Sequence, residues 1–233
     1  MAQNQDYKVL LLTSTPDLID TITAVAREHL ANVESMYWEM GNKETKPDVL
    51  RQIAESNYNL IISHISGIII KRHHLDQASF GVINIHPSPP EHPGCWGNWC
   101  VPVIRREIRT HDGVTLHEID EEIDHGPIYK VERWEVPEGS SIEDVMVNNM
   151  GKCIEMLTFA SKELAASSNG TRCFSQIDEK WAFANGHYTL SSIQEWFRDL
   201  DREHPAHQER IFLNHPKSMI SPPYFSDLDG TDQ

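Results

Sequence analysis

Apolar residues in the first half of the chain come in short unbroken runs, separated by stretches of helical periodicity. Val9–Leu12, after Lys8, is continuous enough for a strand buried on both faces of a parallel sheet. Thr13–Asp17 follows as a tight turn. Thr15 reads as a helix N-cap with Pro16 in the first helical position, and Leu18, Ile22, Val25 and Ala26 continue at helical spacing. Val33–Glu39 predicts a second strand. Pro47 opens a helix through Val49, Leu50 and Ile53 that stops near Ser56. Leu60–Ile62 predicts a third strand and Val82–Ile85 a fourth, with the run Ile68–Ile70 and the basic patch Lys71–His74 between them. Strand and helix units alternating at this length predict an α/β fold with a doubly wound, mostly parallel sheet.

The second half continues the pattern with longer breaks. Val101–Ile108 predicts a helix carrying Arg105 and Arg106, and His111–Gly113 reads as a turn. Val114–Ile119 alternates as a half-buried strand does, and Ile128–Val131 resumes a strand after the acidic loop Asp120–Pro127. Ser140 or Ser141 starts a long amphipathic helix whose stripe includes Ile142, Val145, Met146, Met150, Cys153, Ile154, Leu157, Ala160 and Leu164. Beyond residue 170 the periodicity fades, apart from one short helix, Ser191–Leu200, and a His- and Pro-rich end. The chain thus divides into a domain over 1–168 and a C-terminal extension over 169–233.

The fourth strand breaks into His86-Pro87-Ser88-Pro89-Pro90. Proline cannot donate to a sheet ladder, so the strand ends there. Side chains two apart on a strand point the same way, which sends Asn84 and His86 together into the space the proline loop encloses. An amide that donates to a developing oxyanion, beside an imidazole that moves a proton, is a catalytic vocabulary. These two residues alone do not separate that vocabulary from a satisfied core amide and a loop histidine.

Bulk properties narrow the field. At 233 residues, the chain suits one sizeable domain with an appendage. A net charge of −15 opposes generic binding to nucleic acid, though not a small anionic substrate. No apolar stretch is long enough to span a membrane, and residues 1–4 start no secretory signal. The four cysteines, at 95, 100, 153 and 173, form no disulfide framework, which predicts a reduced, cytoplasmic setting. Cys95 and Cys100 lie near His86 and His92, but no second ligand pair follows at zinc spacing, so no metal is expected.

Asn84-Ile85-His86-Pro87-Ser88, then Gly113–His117, then Asp120–Ile128 with Asp124-His125-Gly126-Pro127 at its centre, occur in that order, with Asn84 and Asp124 forty positions apart. In this combination the stretch from about Leu60 to Leu164 resembles the catalytic core of the 10-formyltetrahydrofolate-dependent formyltransferases. That family includes methionyl-tRNA, glycinamide ribonucleotide and sugar-nucleotide N-formyltransferases. The resemblance implies a Rossmann-like, doubly wound sheet of the formyltransferase type with a small C-terminal appendage, and 10-formyltetrahydrofolate as formyl donor. It implies Asn84, His86 and Asp124 as the catalytic set. It also places Gly67, Ile68, Ile69, Ile70, Asp120, Glu121 and Ile123 around the folate, and Thr13, Ser88 and Trp96 on the acceptor.

Where many members of the family carry Leu-Leu-Pro and then an aromatic-Arg-Gly, this chain reads Pro89-Pro90-Glu91-His92-Pro93-Gly94. The Thr13–Asp17 turn resembles the transfer-RNA enzymes, but the charge disfavours transfer RNA. Size, charge and the Pro-Pro-Glu loop favour a sugar nucleotide as the amine acceptor, and a homodimer is an open expectation. Formyl transfer to glycinamide ribonucleotide or a hydroxyornithine is the alternative, as is hydrolysis of the formylfolate by water.

Overall fold

The computed structural model describes residues 7–94, 111–137, 140 and 142–182. Its sheet has six strands in the order β2-β1-β3-β4-β5-β6: β1 Lys8–Thr13, β2 Asn32–Tyr37, β3 Leu60–His64, β4 Val82–His86, β5 His111–Glu118 and β6 Ile128–Glu135. The pairs among β1 to β4 are parallel, whereas β5 and β6 join as antiparallel strands. The helices among the described residues are α1 (Ile19–Arg27), α2 (Lys46–Glu55), α3 (Arg72–Gln77) and α4 (Ile142–Ala166), with 3-10 turns at Pro16–Leu18 and Gly170–Cys173. The predicted doubly wound, mostly parallel α/β sheet is what forms. Trp96, Trp99, Cys95, Cys100, the helix expected at Val101–Ile108 and the one expected at Ser191–Leu200 lie outside the described residues.

Strand periodicity divides the core in two. Val9, Leu11, Leu60, Ile62, Ile83 and Ile85 face α1 and α4, where they meet Ile22, Ala26, Cys153, Leu157 and Leu164. Leu10, Leu12, Ile61 and Val82 face the other way, onto Val49 and Ile53 of α2 and onto Ala78 just after α3. The unbroken apolar runs of β1 and β3 follow from this, because both faces of those strands are covered. On β4 the same alternation sends Val82, Asn84 and His86 to the α2/α3 side.

Several boundaries differ from the sequence pattern. Thr15 makes no side-chain cap. Its own N–H instead donates to the Thr13 hydroxyl at 3.1 Å, Leu18 N–H donates to the Thr15 carbonyl, and a 3-10 turn delays α1 to Ile19. The segment His111–Gly113 is not a turn but the start of β5, paired with Glu135, Trp134 and Arg133. Gly113 sits there for room: a Cβ would lie 2.9 Å from Pro89 Cβ and 3.0 Å from the Glu132 carbonyl oxygen. Pairing also carries β6 on to Glu135, past the Val131 limit of its apolar pattern. The polar helix α3 had no apolar period to reveal it. On α4 the expected stripe is buried at Met146, Cys153, Leu157, Ala160 and Leu164, and Asn149, Met156 and Ser161 are buried with it. No helix among the described residues is long and apolar enough to cross a membrane.

Candidate active site

Asn84 and His86 leave β4 on one face, and the register sets His117 of β5 directly opposite Asn84. Cross-strand neighbours share a face, so all three side chains meet on one side of the sheet. A register shift in the β5–β6 pairing at Leu116/His117 marks an irregularity beside this point. Ile119 packs into the α2/α3 cluster, and the loop after it folds back over the same face. Its backbone passes close: a Cβ on Gly126 would lie 2.0 Å from the Glu118 carbonyl oxygen. The loop delivers Asp124 with φ 47°, a left-handed conformation that Asp tolerates better than most residues.

The result is a carboxylate between two imidazoles. Asp124 Oδ2 lies 3.6 Å from His86 Nδ1 and accepts the Gly94 N–H at 2.6 Å. Its Oδ1 lies 3.5 Å from His117 Nε2. His86, His117 and Asp124 are all buried, whereas Asn84 is half-buried.

Hydrogen-bond chemistry fixes much of the protonation pattern. A carbonyl only accepts, so His86 donates its Nε2–H to the His92 carbonyl at 3.0 Å, and His117 donates its Nδ1–H to the Glu118 carbonyl at 2.8 Å. With Nδ1 protonated, a neutral His117 accepts at Nε2 from the Asn84 amide, 3.0 Å away. That uses one of the two Asn84 N–H bonds and leaves the other for a ligand oxygen. In a neutral His86 the Nδ1 lone pair faces Asp124.

Burial pushes the His86 imidazole below its ordinary range, and the attraction of Asp124 only partly offsets this. Burial works against charge on Asp124 too. Attraction from His86 and the Gly94 amide nevertheless outweigh it and hold the carboxyl well below the usual carboxylate range. The pair therefore stands ready near neutral pH to take up one proton between Nδ1 and Oδ2.

The segment after β3 lies nearby and is strained. Ile65 has φ 51°, costly for a β-branched residue, and its carbonyl accepts the Ser14 N–H at 3.1 Å. Gly67 N–H donates to the Ser14 hydroxyl, and a Cβ on Gly67 would meet Met40 and Trp38. Ile68 and Ile70 are buried, but Ile69 is 39 % exposed. In the acidic loop, Asp120 accepts the Glu122 N–H and pairs with His125, while Ile123 is 48 % exposed. Arg72 bridges the two segments by an ion pair with Glu121.

Asn84, His86 and Asp124 are thus brought together, and the isoleucine segment and acidic loop meet through Arg72. Two expected acceptor residues are enclosed instead. The Thr13 hydroxyl takes the Thr15 amide, and Ser88 is buried with its Oγ unpartnered and its carbonyl accepting from the Thr115 hydroxyl. Trp96, the third, lies outside the described residues. Two side chains at the site carry no role in the sequence reading. His117 entered it as part of the alternating strand and as the last residue of the Gly113–His117 motif, without a role of its own. Trp181 lies where periodicity had faded, yet its ring centroid is 4.8 Å from that of His117 and 5.6 Å from that of His86.

Against known proteins, residues 2–152 match the family model described as formyl transferase. The chain belongs to the formyl transferase family. Among solved structures, a 4-N formyltransferase from Francisella tularensis superposes with a TM-score of 0.60 at 20 % identity, over 79 % of this chain and 77 % of that one. The N-formyltransferase from Helicobacter canadensis, solved with folinic acid and dTDP-3-aminofucose, gives 0.58 at 14 % identity over 78 % and 71 %. A phosphoribosylglycinamide formyltransferase from Bacillus halodurans gives 0.53 at 19 % identity, over 67 % of this chain and 94 % of that one. At such identities the likeness establishes the fold. No curated protein sequence matches the chain.

Proposed function

We propose that this formyl transferase moves the formyl group of 10-formyltetrahydrofolate to the amino group of a sugar nucleotide. The observation that carries the reading is the buried Asp124 carboxylate between two imidazoles, beside an Asn84 amide with an N–H to spare.

The donor fits the segment around Ile69 and the loop around Ile123. These two side chains are exposed apolar surface on neighbouring backbone segments, which suits the faces of a flat pteridine while amides and carbonyls meet its polar edge. Bound there, the folate supplies an activated formyl carbon and leaves as a secondary amine. Asn84 donates its second N–H to the formyl oxygen as negative charge builds on it, a contact stronger in the transition state than before it. The His86–Asp124 pair takes the proton that the attacking amine loses. Nδ1–H···Oδ2 then replaces a facing lone pair with an ion pair, and the pair rather than either member is the base. The same proton passes to the nitrogen of the departing donor. Enclosure of the imidazoles keeps bulk water away from the reacting carbon and so disfavours hydrolysis.

For the acceptor, the sugar-nucleotide complex of the Helicobacter structure and the charge of −15 support an amino-deoxysugar on a nucleotide carrier over transfer RNA. The long overlap with the Bacillus enzyme favours glycinamide ribonucleotide as the second reading. A cytoplasmic, reducing setting suits Cys153 and Cys173, both free thiols. A panel of amino-sugar nucleotides and glycinamide ribonucleotide, incubated with the donor and read by mass gain of one carbonyl, tests the proposal. Formylation of a sugar nucleotide is the expected result. Formylation of glycinamide ribonucleotide alone would replace it with the second reading.

A further inference from the structure

We propose that Trp181, carried on the segment after α4, is a positioning residue that fixes the His86 and His117 rings and keeps water from the His86–Asp124 pair. A core tryptophan ordinarily packs among aliphatic side chains. Trp181 is only 9 % exposed, yet it belongs to neither apolar cluster of the described residues. Its indole meets the two imidazoles edge to face, at interplanar angles of 80° with His117 and 74° with His86. The indole N–H donates to the Gly126 carbonyl at 3.0 Å, two residues beyond Asp124.

The segment that carries it is tied down on both sides of the site. Ile177 N–H donates to the Ile128 carbonyl at the start of β6, and Ala182 N–H to the Pro90 carbonyl of the proline loop. Arg133 of β6 pairs with both Glu179 of the segment and Glu91 of the proline loop. The strap therefore joins the loop that follows His86 to the loop that carries Asp124, and Trp181 is the side chain it inserts between them. Nothing in the sequence pattern beyond residue 170 predicts this, because the contact is wholly tertiary.

Among the described residues, Asp124, His117 and the His92 carbonyl lie against His86 besides Trp181, and Asp112 acts on it through its charge. Burial is the largest influence on His86, and the indole supplies part of it. Removing the indole admits water and returns the imidazole toward its ordinary, higher range. Only the kinetic arm of the test rests on the proposed formyl transfer; the titration of the rings needs no substrate.

The experiment is an NMR titration of the His86 and His117 rings in the full chain, with W181A and W181F beside wild type and His117→Gln for assignment. The expected result is a His86 midpoint displaced to higher pH in W181A and close to wild type in W181F, which keeps an aromatic face. In formyl transfer, the acid limb of the kcat profile should move the same way in W181A. Its kcat should fall roughly ten- to a hundredfold, with the donor KM nearly unchanged. An unmoved His86 midpoint in folded W181A overturns the proposal, whatever the rate does. Should W181A fail to fold, E179Q loosens the strap while keeping the indole. A smaller displacement in the same direction then supports the proposal, and none overturns it.

Discussion

Replacing Asp124 with asparagine keeps the shape of the side chain and removes its charge. The amide oxygen still accepts the Gly94 N–H, so the loop should hold its course and the fold survive. What is lost is the attraction that makes a proton on His86 tolerable. At 3.6 Å, and with an effective dielectric constant of about 20, a full ion pair is worth about 4–5 kcal/mol. Without it, burial acts on the His86 imidazole with far less opposition and pushes it further down. The His86 base would then hold the amine proton too weakly to help, and general base assistance is typically worth about 10²–10⁴ in rate. We therefore expect D124N to lower kcat by about a thousandfold near neutral pH. Donor KM should change little, since the carboxylate acts on the proton rather than on the folate. Stopped-flow absorbance of tetrahydrofolate formation, with circular dichroism to show an intact fold, measures both. A folded D124N within about threefold of wild type would refute the reasoning, because the carboxylate would then give no general base help of that size.

Other perturbations probe other parts of the account. His64 is wholly buried, and burial, offset only in part by backbone groups of its own residue and of Cys153, lowers it from 6.5 to about 4. A folded value below the unfolded one means that protons favour the unfolded chain, so stability is full above about pH 6.5 and falls from there toward pH 4. His64→Leu should remove up to about 3 kcal/mol of that acid loss. Urea midpoints at pH 5 and 7 check this, and an unchanged pH dependence would contradict it. Gly113→Ala drives a methyl into Pro89 and the Glu132 carbonyl, so it should cost about 1–3 kcal/mol and displace the proline loop; a neutral effect on Tm and rate would show that the loop gives way freely. Ile123→Ser removes exposed apolar surface only, so the donor KM should rise about tenfold with Tm unchanged; an unaltered KM would move the folate elsewhere.

The parts of the fold legible in the sequence were those where burial alone dictates residue type. Val9–Leu12 and Leu60–Ile62 read as strands because both their faces are covered. The spacing of Asn84 and His86 placed them on one face, and the structure sets them there. Asp124 was reached by resemblance, since an acidic loop by itself is unremarkable and its φ of 47° leaves no trace in composition. What stayed hidden depends on contacts made far along the chain. Asp112-Gly113 carries the signature of a turn, but a proline loop and β6 press on it from both sides and make it a strand. His117 gains its meaning only from the residue opposite, and Trp181 only from a strap whose hydrogen bonds join residues about fifty to ninety positions apart.

The central claim is that amide, carboxylate and imidazole surround one formyl carbon whose destination is an amine. Its most direct test is the stoichiometry of a single turnover, with enzyme in excess over 10-formyltetrahydrofolate and an amino-sugar nucleotide supplied or withheld. The account predicts one formylated amine for each tetrahydrofolate released, negligible release without the amine, and loss of both products in the Asn84→Ala and D124N variants. Release of tetrahydrofolate and formate at the same rate without any amine would make water the acceptor and contradict it.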